Sequence, residues 1–129
     1  MDVLIKAIKV RYTAQATFAT ALTGGIHLAE MSKEFTAPYC CLVVSESPFW
    51  TFDNNFERYT VTFTLVSDTR DASEIIDLYE KLKACFDEAP LSVTGYHLIR
   101  FWRVNSSSID RIDDGWQITV EYACELEET

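Results

Sequence analysis

Positive charge is scarce in this sequence. Its 129 residues include 11 lysines and arginines against 20 aspartates and glutamates, a formal net charge of −9 at pH 7. A surface of that sign repels phosphate backbones and anionic lipids, because both are bound mainly through cationic side chains. The composition therefore disfavours a protein that wraps nucleic acid or binds a membrane surface. A hydrophobic fraction of 48% at this length is typical of one globular domain, predicted over residues 1–129.

Motifs for catalysis and for phosphate binding are also absent. The chain contains neither glycine-rich phosphate-binding pattern, no zinc-protease motif and no nucleophile elbow. Its four glycines leave little room for a loop that cradles a phosphate. We therefore expect a protein that is not an enzyme, with no catalytic residues and no cofactor. The opening MDVLIKAIKV has lysines inside its apolar run, which is not typical of a signal peptide.

Cysteine and histidine do not occur at metal-binding spacings. No C-x-x-C pair is formed by the four cysteines, Cys40, Cys41, Cys85 and Cys124. Adjacent residues on a strand point to opposite faces, so Cys40 and Cys41 cannot easily share one metal. The two histidines, His27 and His97, lie among apolar residues of predicted strands, where a structural or solvent-facing role is favoured. These patterns predict buried, reduced thiols and no metal site.

Three neighbouring aspartates are candidate ligands for a divalent cation. Asp110, Asp113 and Asp114 carry carboxylate oxygens of the kind that bind such ions. They lack the regular spacing of a calcium loop, so residues of a polar turn are the favoured interpretation.

Hydrophobic periodicity predicts two helices and about five strands. Apolar residues at three- and four-residue steps predict helices over residues 2–23 and 71–87. Gly24 and Gly25 would end the first helix, and Asp71 with Glu74 has the spacing of a capping box. Strands are predicted over residues 26–30, 39–45, 57–67, 92–104 and 116–125. Residues 105–115 then form a polar connection between the last two strands, and residues 125–129 a solvated acidic tail.

The order of these elements predicts an α+β fold. We expect a single, mostly antiparallel sheet of about four to five strands with two helices packed on one face. The other face would carry a row of polar side chains suited to partial exposure or to contact with another subunit: Thr60, Thr62, Thr64, Gln117 and Thr119.

Two aromatic segments are candidates for an interface. Three aromatic residues lie in a polar loop, and a further tryptophan lies between two arginines. Together they form the candidate interface set: Phe49, Trp50, Phe52, Arg100, Trp102 and Arg103. Aromatic and arginine side chains dominate the energetics of protein interfaces. The alternative for the loop is that it folds back over the edge of the core.

The order and spacing of several segments give this chain a likeness to a known protein family. The likeness begins with an amphipathic first helix that ends in Leu-Thr-Gly-Gly, at 22–25. It continues with Pro-Tyr-Cys-Cys-Leu-Val-Val at 38–44, a turn at Asp53-Asn54 and the alternating strand Arg-Tyr-Thr-Val-Thr-Phe-Thr-Leu at 58–65. A helix over 73–82 and the closing Asp-Asp-Gly-Trp-Gln-Ile-Thr-Val-Glu-Tyr at 113–122 complete it.

Through these segments the chain resembles the phage tail-completion and tail-terminator proteins, a family of head–tail joining and minor tail proteins. This resemblance implies a structural subunit of a phage or prophage tail. Six copies would form a ring that terminates the tail tube and joins it to the head connector. The implied partners are the chain itself, the tail-tube protein and the connector protein, with no membrane. DNA would pass through an acidic lumen without specific binding, and the subunit would lie in the host cytoplasm during assembly and then in the virion tail. The alternative is a small oligomeric α+β binding or regulatory module without catalysis.

Overall fold

The computed structural model describes residues 2–28, 34–47, 56–113 and 115–129. Within these ranges the helices and strands follow in the order α1 (Asp2–Ala14), α2 (Ala16–Ala21), β1 (Ile26–His27), β2 (Tyr39–Ser47), β3 (Phe56–Ser67), α3 (Ser73–Phe86), β4 (Tyr96–Ser106), β5 (Asp110–Ile112) and β6 (Gly115–Glu128).

The described strands form one mixed sheet of six strands in the order β1-β2-β3-β6-β4, with β5 paired to β6 beyond the end of β4. β1 runs parallel to β2, and the other pairs are antiparallel. The predicted α+β class is confirmed, whereas the predicted number of four to five strands is wrong: the sheet has six strands and, because of its one parallel pair, is mixed. The parallel pair was not predicted because β1 pairs through only two residues, opposite Cys40 and Cys41, and two residues carry no signal of strand direction.

The predicted polar connection over residues 105–115 is largely strand. β4 extends to Ser106, and β5 continues the same edge by pairing Asp110 with Gln117 and Ile112 with Gly115. An edge strand has one side free to meet water, so polar residues are tolerated there and give no periodic apolar signal. A prediction based on alternation alone therefore made the strands of this hairpin too short, missing the end of β4 and the whole of β5.

The predicted first helix is two helices separated at Gln15. Gln15 leaves the helical conformation, with φ −95° and ψ 81°, and α2 begins at the next residue. Between Tyr12 and Phe18 the chain offers no apolar side chain larger than alanine, so the buried stripe is interrupted there. The break still lets these two rings meet edge to face, with centroids 5.5 Å apart.

The start of α3 is arranged differently from the predicted capping box. The Asp71 carboxylate accepts the Ser73 N–H at 3.0 Å, two residues away, rather than the N–H that a capping box would use. The Glu74 carboxylate instead accepts the Ser67 hydroxyl at 2.7 Å. Both acids are therefore satisfied by serines, and the second ties the helix start to the end of β3.

All three helices pack on one face of the sheet and bury a continuous apolar core. At its centre four rings lie in contact, with Phe63 and Phe86 stacked at 4.7 Å and Phe101 and Tyr122 stacked at 5.0 Å. Phe86 also contacts Phe101 and Tyr122, so these rings join α3 to the three strands β3, β4 and β6. Offset-stacked and edge-to-face aromatic pairs contribute roughly 0.5–1.5 kcal/mol each beyond the area they bury.

The acidic end of the chain is part of the sheet. β6 continues to Glu128 between β3 and β4, with Glu125 opposite Arg58 and Glu127 opposite Phe56. Leu126 is only 1% exposed. The prediction of a solvated tail over residues 125–129 is therefore wrong, because the alternation of Leu126 with its acidic neighbours is that of a strand.

Gly115 is required where the β5–β6 turn crosses the end of β3. A Cβ atom at this position would lie 1.8 Å from the Ser67 carbonyl oxygen, which is backbone and cannot rotate away. We predict that Gly115→Ala lowers the free energy of unfolding by more than about 2 kcal/mol, measured by urea denaturation. Asp113→Ala, at an exposed position of the same turn, is the control and should stay within about 0.5 kcal/mol of the wild type. A Gly115→Ala protein of unchanged stability would contradict the close approach.

The four cysteines are free and buried, as predicted. Burial raises the pKa of Cys85 to about 11, against the opposing effect of Arg11, and burial raises that of Cys124 to about 12. Since only the thiolate reacts, we expect the native protein to resist a disulfide reagent at pH 8 and to react at all four thiols once unfolded.

The thiols of Cys85 and Cys124 have higher pKa values in the folded state than in the unfolded state, so they lose their protons at higher pH when the protein is folded. The free energy of unfolding should therefore fall as pH rises from about 9 to about 12. Rapid reaction of the native thiols with the reagent at pH 8 would contradict the expected resistance, and a free energy of unfolding that does not fall over this pH range would contradict the expected pH dependence.

Candidate interaction surface

The sheet face opposite the helices is lined by polar side chains. Alternate residues of β3 and β6 point away from the core, and Thr60, Thr62, Thr64, Gln117 and Thr119 are all half-buried there. The hydroxyl oxygens of Thr64 and Thr119 lie 3.5 Å apart across the two strands. The predicted partial exposure of this row is confirmed. We call it the threonine face.

A small apolar cluster covers one end of the threonine face. Tyr39, Cys41 and Val66 pack there against Phe35 and its neighbours. His27 extends this cluster, because its ring stacks on Phe35 at 3.9 Å and its Nε2 lies 2.7 Å from the Gly24 carbonyl oxygen. The contacts of His27 are those of a structural histidine.

Two arginines and a tryptophan meet at the other end of the threonine face. The guanidinium carbons of Arg100 and Arg58 lie 4.8 and 5.6 Å from the ring centre of Trp102. The sheet register brings them together, since Glu125 is opposite Arg58 on one side and Arg100 on the other. We call Arg58, Arg100 and Trp102 the Trp102 cluster. A guanidinium over an indole is attracted by roughly 0.5–1 kcal/mol at an exposed site.

Arg100 is also held by an ion pair at the sheet edge. Its Nη2 lies 2.8 Å from Oε1 of Glu88, and this hydrogen bond lowers the pKa of the Glu88 carboxyl. Both side chains are more than half exposed, and exposed pairs of this kind stabilise proteins little. The pair orients Arg100 beside Trp102 and leaves the cluster open to solvent.

Arg103 lies on the opposite side of β4 from the Trp102 cluster. Its guanidinium donates to the Tyr79 hydroxyl at 2.8 Å and lies 3.3 Å from the Asp87 carboxylate. The Tyr122 hydroxyl donates to the same carboxylate. Burial and this hydrogen bond raise the pKa of Tyr122. Arg103 therefore belongs to a polar network that joins α3 to β4 and β6.

The predicted interface set thus divides into three groups. Arg100 and Trp102 come together, Arg103 is directed to the helix side, and Phe49, Trp50 and Phe52 lie outside the described residues. Sequence reasoning missed Arg58, whose alternation with buried Tyr59 and Val61 already assigns it to the face away from the core.

In the described ranges, no three His, Cys, Asp or Glu side chains are grouped so that they could hold a metal ion. The Asp110 carboxylate accepts a hydrogen bond from the Ser108 hydroxyl at 3.0 Å, His97 is exposed on β4, and Asp114 lies outside the described residues.

The described helices include none that is long and apolar enough to cross a membrane.

The two arginines of the candidate set should differ in their effect on stability. We predict that Arg103→Ala lowers the free energy of unfolding more than Arg100→Ala does, because Arg103 contacts both Tyr79 and Asp87 in the network that joins α3 to the sheet. In the Arg100→Ala protein, the pKa of Glu88 measured by NMR should rise towards its ordinary value. Equal stability losses, or an unchanged Glu88 titration, would contradict these assignments.

A scan of protein-family models finds no match to this sequence, and a search of curated proteins finds none either. Solved structures do share the fold. A chain from the virion of a native gene transfer agent particle matches with a TM-score of 0.68 at 14% identity, over 93% of this chain and 91% of that chain. A second solved protein, which carries a sequence identifier and no functional name, matches with a TM-score of 0.71 at 14% identity, over 99% of this chain and 96% of the other. At this identity the likeness is one of fold.

Proposed function

We propose that this protein is a structural subunit of the virion of a phage or a phage-like particle. Within that class, its role is to form a ring of six copies that terminates the tail tube and joins it to the head connector. The observation that carries the proposal is the fold shared with a chain of a gene transfer agent virion, which covers nearly the whole of both chains.

The surface of the described residues is consistent with a role in assembly. The threonine face is polar, and it carries one central carboxylate, Glu121, opposite Thr62. A partner that covers this face must therefore supply a hydrogen-bond donor or a cation to that carboxylate. The Trp102 cluster at its end supplies tryptophan and arginine, the residue types that most often anchor interfaces. We propose this surface as the contact with the tail tube or the connector.

The net charge of −9 fits a ring through which DNA passes. An acidic lumen repels the phosphate backbone, so the duplex would move past without being held. A location in the host cytoplasm during assembly, and in the tail afterwards, is part of the same proposal.

The mass of the assembled protein tests the ring. We expect native mass spectrometry and sedimentation over a range of concentrations to give a species six times the 14.8 kDa of one chain. A dimer as the largest species would favour a small oligomeric binding or regulatory module instead.

Deletion of the gene from the phage or phage-like element that carries it tests whether the protein terminates the tail tube. Tails without a terminator should vary in length and fail to join heads, as seen by electron microscopy. Full complementation by a Trp102→Ala variant would contradict the assignment of the Trp102 cluster, whereas tails of normal length in the deletion would overturn the proposed function.

A further inference from the structure

Most cationic side chains of this acidic protein already have partners within the chain. Ion pairs engage Lys81, Lys83, Arg100 and Arg103. Arg11 and Arg111 donate to the carbonyl oxygens of Cys85 and Arg70. In contrast, Lys6 and Lys9 on α1 are, like the isolated Arg70, exposed and form no ion pair within the described part of the chain. Three residues apart on a helix, they lie on the same side of it.

Lys6 lies at an apolar groove, and Lys9 follows it three residues further along α1. A groove of about 470 Å³ runs between α1 and residues 90–94, and is lined by Val3, Lys6, Val10 and Leu91 among others. Val10 is 69% exposed, the most exposed of the large hydrophobic residues in the described ranges. An apolar groove with a cationic rim is suited to a partner that is acidic at its edge. We call this surface the α1 groove.

The same chain carries the complementary charge at one corner of the sheet. Glu128 is opposite Tyr96 at the end of the sheet that lies next to residues 90–94 in sequence, and Glu57 on β3 and Glu46 on β2 lie towards the same end. Burial, followed by these carboxylates, raises the pKa of Tyr96. The Tyr59 hydroxyl donates to Glu57 at 2.8 Å, while Glu46 and Glu128 are exposed. We call these three carboxylates the acidic corner.

We propose that the α1 groove of one copy docks the acidic corner of a second copy of this chain. Copies with a net charge of −9 repel one another overall, so self-association requires that uncommitted cations of one copy meet carboxylates of the next. The contact joins two different surfaces, and such a contact can repeat from copy to copy and close into a ring. The inference rests on the proposed ring and names one of the contacts that would build it.

Reversal of charge on each side provides the test. One variant carries Lys6→Glu with Lys9→Glu, and the other carries Glu46→Lys with Glu128→Lys. All four positions are exposed, so the fold should be retained, as circular dichroism would check. Each variant alone should need at least about tenfold more protein to assemble, which corresponds to about 1.4 kcal/mol. An equimolar mixture should recover assembly, because each altered surface then meets a surface of opposite charge.

The control changes the same amount of charge elsewhere. Arg70→Glu with Lys81→Glu alters two cations outside the α1 groove and should assemble like the wild type. Supporting results are impaired single variants, a recovered mixture and wild-type assembly that weakens as salt rises. Variants that assemble normally, or a mixture that does not recover, would overturn this contact while leaving a six-copy wild-type ring intact. A charge-sensitive wild-type dimer would support the contact and overturn the ring.

Discussion

The pairing of β3 with β6 is the interaction on which the rest of the structure depends. The two strands match residue for residue from Phe56 opposite Glu127 to Ser67 opposite Trp116. β6 is also paired along its other edge, first by β5 and then by β4. A strand paired on both edges satisfies its backbone groups within the sheet, so it can be buried without unpaired donors. This ladder sets which side chains face the helices and which form the threonine face.

The helices are attached to that ladder by packing and by one polar network. The ring of Phe86 on α3 contacts Phe63 and Tyr122, which lie on the paired strands. The hydroxyl of Tyr122 then donates to Asp87, at the end of the same helix. A side chain that is buried at one end and hydrogen-bonded at the other fixes both the distance and the rotation of α3 over the sheet. Arg103 completes this network and so is not available to the opposite face.

The sequence predicted what has a regular period and missed what depends on partners distant along the chain. Alternation of Tyr59, Val61 and Phe63 with threonines was enough to predict β3 and the polar face behind it. In contrast, the parallel pairing of the predicted strand at residues 26–27 has no periodic signal, and β5 was missed because it is polar and lies at an edge. The Trp102 cluster was half predicted: Arg100 and Trp102 are neighbours in sequence, but Arg58 joins them only through the register of β6. Contacts across a sheet follow from strand order, which the sequence does not state directly.

Net charge determines less about self-assembly than the placement of the uncommitted charges. At physiological ionic strength the screening length is about 8 Å, so repulsion between whole acidic subunits is weakened while charges in contact still act. Within the described chain, ion pairs and backbone carbonyls occupy most cationic groups, and α1 retains two lysines with none of these partners. An acidic protein with few free cations therefore has few ways to meet a copy of itself. The remaining carboxylates repel other acidic surfaces, and that repulsion would favour the proposed contact at α1 over non-specific association.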